Sequence, residues 1–207
     1  MKKFNEEFKK NLYETIEDIE NHSLTEAVAV VKSESGDYKN VSLWFAFAVM
    51  ALLYTFFMFA PVEFNVYVIY LVSLFSFPLS YFIVEFLPVF KRLLVPNTKL
   101  HKQAEIYARA VFQKGGIRFT QERIGVLFYV SLFEKSVVIV ADRGAETAVP
   151  AEDWERMKMG FTSIFSASNP AEAFIEKLQE TKPVFAENIP PVENDINELP
   201  DDLEVEL

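Results

Sequence analysis

Residues 41–60, VSLWFAFAVMALLYTFFMFA, and residues 66–84, VYVIYLVSLFSFPLSYFIV, decide how this chain is read. Neither run carries a charge, and PVEFN at 61–65 joins them. A bilayer core of about 30 Å takes roughly 20 helical residues at about 1.5 Å each. The first run holds ten Leu, Ile, Phe or Val residues and the second holds twelve. At roughly −0.3 to −0.6 kcal/mol each near the bilayer centre, either run gains several kcal/mol on insertion. A helix buried in a globular core rarely stays apolar on every face for this length. The pair therefore reads as a transmembrane helical hairpin over 41–90; the competing reading is a very apolar core hairpin.

Charge sets the expected orientation. Lys32 and Lys39 precede the first run, and Lys91, Arg92, Lys99 and Lys102 follow the second. The connecting loop has no Lys or Arg and one acid, Glu63. Under the positive-inside rule both flanks, and so both termini, are expected on the cytoplasmic side of a two-pass protein. Glu85, at the end of the second run, reads as an interfacial acid near Lys91 and Arg92; the alternative is an intramembrane site. A first apolar run starting at residue 41 lies too deep and runs too long for a cleaved signal peptide.

Outward from the hairpin, the chain reads as one domain. Phe4, Phe8, Leu12, Ile16 and Ile19 make one stripe of a helix over 3–21. That stripe suits core packing, or alternatively the membrane surface through Lys2, Lys3, Lys9 and Lys10. Residues 25–32 read as a strand, followed by a polar turn at 33–37. After the hairpin, 97–114 read as a helix with Gly115 as a left-handed cap. GVLFYVS at 125–131 and SVVIVA at 136–141 read as an antiparallel pair, apolar enough for helices on both faces, and Asp142-Arg143-Gly144 as a closing turn. One helix is expected from Pro150 and another from Asn169-Pro170.

Three buried strands with helices make an α/β class domain, with a central sheet of at least three strands. Its parts are 1–40 and 91–182, interrupted by the hairpin. Strands on either side of the hairpin can share a sheet only if the number of crossings is even. Two runs give two, so sheet and charge reach one topology independently. Residues 183–207 read as a disordered acidic tail. From Glu187 onward there are eight acids and no base, so the net charge of −10 belongs mostly to this tail. Its alternation of acids with Leu199, Leu203, Val205 and Leu207 suits a solubilising tail or a docking peptide. No basic patch points to nucleic acid.

Cysteine is absent, so no disulfide framework or thiolate metal site exists. Two histidines stand outside any motif, and no nucleophile–base pair is visible. The candidate site gathers Asp37, Glu122 and Asp142 as metal ligands with Ser33, Ser35 and Arg143 as binding residues. If the first and third strands ran parallel, Asp37 and Asp142 would share a sheet edge and could hold a hard cation such as calcium. The plainer reading makes Asp142-Arg143-Gly144 a turn and the serines the start of a linker.

The segments GVLFYVSLFE at 125–134, VVIVADRG at 137–144, EAVAVV at 26–31 and NELPD at 197–201 resemble the TPM domain family. That family is similar to the thylakoid-lumen acid phosphatase and photosystem II repair proteins. The resemblance implies a compact α/β sandwich and, in some members, calcium binding or phosphatase activity. It also suggests a bacterial inner-membrane member. Many relatives carry an acid just before the strand-opening glycine, where this chain has Arg123-Ile124. The expected function is a membrane-anchored module whose cytoplasmic domain binds another membrane or membrane-associated protein. The alternative is a metal-dependent phosphatase.

Overall fold

The computed structural model describes residues 4–120, 122–192 and 205–206. Two compact units emerge, one of residues 1–35 and 101–207, the other of 36–100.

In the first unit, α1 (Glu6–Glu20) starts where Asn5 Oδ1 accepts the Phe8 amide at 3.0 Å. This bond satisfies one of the amides a helix start leaves unpaired. Strand β1 (Glu26–Lys32) pairs parallel with β2 (Gly125–Ser131), from Glu26 opposite Gly125 to Lys32 opposite Ser131. Strand β3 (Ser136–Ala141) pairs antiparallel with β2. The two-residue strand β4 (Val205–Glu206) runs parallel to β1, giving the order β3-β2-β1-β4.

The two-residue period of the strands sorts their side chains into two cores. Ala27, Ala29, Val31, Val126, Phe128 and Val130 face α1, α7 (Ala151–Thr162), α8 (Pro170–Gln179) and α9 (Lys182–Asn188). There the Phe128 ring lies 5.6 Å from Phe161 and 6.4 Å from Phe185. Val30, Leu127 and Tyr129 face the other way, onto Ala104, Ala108 and Phe112 of α5 (Asn97–Lys114). The small Ala104 and Ala108 leave room for the Tyr129 ring, which lies 5.7 Å from Tyr107.

The second unit is an antiparallel hairpin of α2 (Lys39–Phe59) and α3 (Val66–Phe86), followed by the short helix α4 (Pro88–Leu94). Small and hydroxyl side chains face inward: Ser42 and Ala46 of α2, Ser76, Ser80 and Val84 of α3. Such residues let helix backbones approach closely where water supplies no driving force. The outward faces are apolar. Helices α2 and α3 are long and apolar enough to cross a membrane, and only 11% and 6% of their most apolar windows are buried. Glu85 Oε1 accepts from Ser42 Oγ at 2.6 Å and Glu85 Oε2 from Lys91 Nζ at 3.0 Å. Lys91 is one of the two bases expected near Glu85.

Several expectations are corrected. Strand β3 is half-covered rather than buried on both faces, because the sheet order puts it at an edge; β2 is buried throughout. Gly116, with φ 76°, takes the left-handed position after α5 in place of Gly115. Residues 143–148 continue past the turn as a helix, α6, with Asp142 as its N-cap. Residues 183–188 of the supposed tail fold within α9, because Phe185 and Ile189 complete the core beside Phe128 and Trp154. Helix α4 was not expected. Disorder predicted over 193–204 and at 207 lies outside the described residues.

Candidate functional site

The parallel strands β1 and β2 finish side by side, and their carboxyl ends carry a polar cluster. Ser35 follows β1 by three residues. Tyr129 and Ser131 alternate on the α5-facing side of β2, and Glu134 sits in the four-residue connection to β3. Backbone bonds join the two segments: Leu132 N donates to Lys32 O at 3.0 Å and Phe133 N to Ser33 O at 2.9 Å.

The side chains complete the junction. Ser35 Oγ lies 2.7 Å from both Tyr129 OH and Ser131 Oγ. Ser131 Oγ donates to Glu134 Oε2, and Ser35 N donates to Glu134 Oε1 at 2.9 Å. Each hydroxyl has one proton, which fixes the order. Ser131 gives its proton to the carboxylate, so Ser35 donates to Ser131 and Tyr129 to Ser35. Hydrogen bonds arranged head to tail polarise and strengthen one another. Tyr129, Ser131 and Glu134 are fully buried. Desolvation is the main reason the Tyr129 hydroxyl is pushed up from 10.0 to about 12.

The sign of the pH dependence follows. An unfolded tyrosine ionises near pH 10, whereas Tyr129 in the fold holds its proton to about pH 12. Stability from this residue is complete below pH 10 and is lost as pH climbs towards 12, by roughly 2–3 kcal/mol at the upper end. Alkaline titration of near-ultraviolet circular dichroism in detergent should show this loss, and Tyr129→Phe should remove that component. An unchanged alkaline profile in Tyr129→Phe would show that other groups cause it.

A second cluster lies at the opposite end of the sheet. Asp142 Oδ1 accepts from Arg143 N at 2.7 Å and from Arg123 Nη2 at 3.0 Å. The Asp142 side chain is 6% exposed. Arg123 has φ 56°, and its carbonyl accepts the amide of Gly144 at 2.8 Å. Glu122 and Arg143 are exposed in the same region.

The predicted site residues are thereby separated. Because β3 runs antiparallel to β1, Asp142 lies at the sheet end away from Ser33 and Ser35, about 20 Å off for strands of this length. Asp37 belongs to the hairpin unit, where its Oδ1 accepts the Lys39 amide at 2.9 Å. Ser33 contributes only its backbone carbonyl, which accepts from Phe133 N, whereas Ser35 does join a cluster, with partners not predicted: Tyr129, Ser131 and Glu134. Their signal was present in the sequence as hydroxyls two apart in an otherwise apolar strand, with an acid three residues later.

Calcium takes six to eight oxygen ligands, several of them carboxylate. Asp37, Glu122 and Asp142 do not fit that need. Asp142 already faces a guanidinium and caps a helix, and Asp37 accepts the amide of Lys39. Among the described residues, no group of three His, Cys, Asp or Glu is placed to hold a metal ion.

These elements define an α/β sandwich with an apolar helical hairpin inserted between its first two strands. The family model described as TPM domain matches residues 93–183. That segment is similar to the TPM domain, and α1 and β1, outside it, complete the core and the sheet. No curated protein matches the chain. The NMR structure of BA42 protein from the psychrophilic bacterium Bizionia argentinensis is similar in fold. Its TM-score is 0.59 at 16% identity, covering 97% of this chain and 94% of that one.

Proposed function

We propose that this chain is a two-pass membrane protein whose TPM domain binds another membrane-associated protein on the cytoplasmic side, without turning over a substrate. The observation that carries the reading is the commitment of the site acids. Asp142 is held by Arg123 and α6, and Glu134 by Ser35 and Ser131. Their roles are architectural, which leaves the domain surface as the functional part. The membrane placement is supported by the uncovered apolar faces of α2 and α3 and by the basic residues on both hairpin flanks. The parallel β1–β2 pair supports an even number of crossings.

A metal-dependent phosphatase is the second reading, favoured by one observation: Glu122, Arg123 and Asp142 lie at one end of the sheet. Full-length protein in mild detergent separates the two. The binding reading expects no hydrolysis of a generic phosphomonoester with calcium, magnesium or manganese. It also expects a discrete photo-crosslinked protein from cells carrying a crosslinker at Phe119 or Met159, which are 70% and 66% exposed. Metal-dependent turnover abolished in Asp142→Asn would replace it with the phosphatase reading.

A further inference from the structure

Beyond its two long helices, the hairpin unit has an apolar surface that the binding role does not explain. At the end of α3 and along α4, Phe86, Leu87, Val89 and Leu93 are 78%, 52%, 77% and 75% exposed. Val89 and Leu93 stand one helical turn apart, on one face. Helix α4 is folded against the hairpin base: the Phe90 ring meets Phe45 of α2 edge-on at 5.3 Å. Lys91 turns inward to Glu85 and is 8% exposed. The acid beside this surface, Glu85, is bonded to Lys91 and Ser42.

We infer that Phe86, Leu87, Val89 and Leu93 form a collar seated in the lipid headgroup region, clamped there by Ser42, Glu85 and Lys91. The inference rests on the membrane-spanning reading of α2 and α3. Three features favour lipid as the occupant. The collar is continuous with the uncovered apolar face of α3 at Phe82 and Ile83. The bond between Ser42 and Glu85 puts those residues at one height, and Trp44, 72% exposed, stands half a turn away. Tryptophan concentrates at membrane interfaces. Lastly, a short helix with one apolar face can lie in the interface plane, buried by about 5–10 Å.

The absence of cysteine allows a direct test. Single cysteines replacing Val89, Leu93, Phe75 and Lys158 are spin-labelled. The full-length protein is reconstituted in vesicles of phosphatidylcholine and phosphatidylglycerol. Collision rates with oxygen and with a water-soluble nickel chelate are then compared. The expected oxygen-to-nickel ratio is highest at mid-span Phe75, lowest at Lys158 on α7, and several-fold above the Lys158 value at Val89 and Leu93. Ratios at Val89 and Leu93 equal to that at Lys158, with Phe75 still deep, would overturn the collar and leave the spans intact. An aqueous ratio at Phe75 would defeat the membrane reading and the collar with it. Dipolar broadening at Val89 or Leu93 that disappears on mixing with unlabelled protein would also overturn the collar, making the occupant a second copy of this chain.

Discussion

Gly144→Ala is expected to destabilise the domain by about 2–3 kcal/mol, even though alanine is the better helix former. Gly144 lies in the first turn of α6, where propensity alone would favour alanine by about 1 kcal/mol. A Cβ there would meet the carbonyl oxygens of Glu122 and Arg123. Both are backbone atoms, so no side chain can rotate away, and overpacking costs about 1–3 kcal/mol or more. The same turn is anchored by bonds from Gly144 N and Ala145 N to Arg123 O, at 2.8 and 3.3 Å. Relief of the clash would loosen those bonds. Gly160→Ala is the internal control. It lies within α7, and an added Cβ would have its nearest neighbour, Lys177 Cδ, at an ordinary 3.5 Å. It should be neutral or stabilising by up to about 1 kcal/mol. Urea unfolding in detergent, followed by tryptophan fluorescence, should separate the two. Equal effects would mean that close approach does not govern Gly144.

Glu134→Ala is expected to cost about 2–5 kcal/mol. It removes the carboxylate that accepts Ser35 N and Ser131 Oγ at a fully buried position. Each buried donor left without an acceptor costs about 1–3 kcal/mol. Glu134→Gln keeps one carbonyl oxygen and should cost less. The loss has a local signature. Amides at 33–35 should exchange with solvent faster in Glu134→Ala, because Ser35 N loses its acceptor. A change in unfolding free energy below about 0.5 kcal/mol, with unchanged exchange at 33–35, would mean that the junction is held by the backbone bonds alone. The consequence reaches beyond stability, since residues 33–35 lead the chain from β1 into the hairpin.

The two cases show where sequence reading succeeds. Long apolar runs, short continuous apolar segments and helix periods are local properties, and they located α2, α3, α5, β1, β2 and β3 within a few residues. Gly125 and Gly144 belong to the TPM-like segments, but the pattern gave no reason for them. Close backbone approach supplies it: a Cβ on Gly125 would come within 2.7 Å of Ile117 Cγ2, and one on Gly144 would meet Glu122 and Arg123. Helix α9 escaped notice because its seven residues open a proline-punctuated, acid-rich stretch. Its helicity depends on Phe185 entering a core built by Phe128 and Trp154.

The candidate site was legible only in part, for one reason. Ser33 and Ser35 were singled out as turn residues after a strand, and Ser35 does take part in the polar cluster. Grouping them with Asp142 required a strand direction, which composition does not encode. Parallel pairing of β1 with β2, and antiparallel pairing of β2 with β3, sends Asp142 to the other end of the sheet. By itself the sequence determined the two long apolar helices and the α/β class, because hydrophobic length and periodicity are carried by neighbouring residues. Only the tertiary structure decided that Tyr129, Ser131 and Glu134 close on Ser35, and that Glu85 is bonded to both Ser42 and Lys91. Those partners lie 94, 96, 99, 43 and 6 residues apart along the chain. Hydrogen bonds across such separations exist only once strand order and helix packing have brought the groups together.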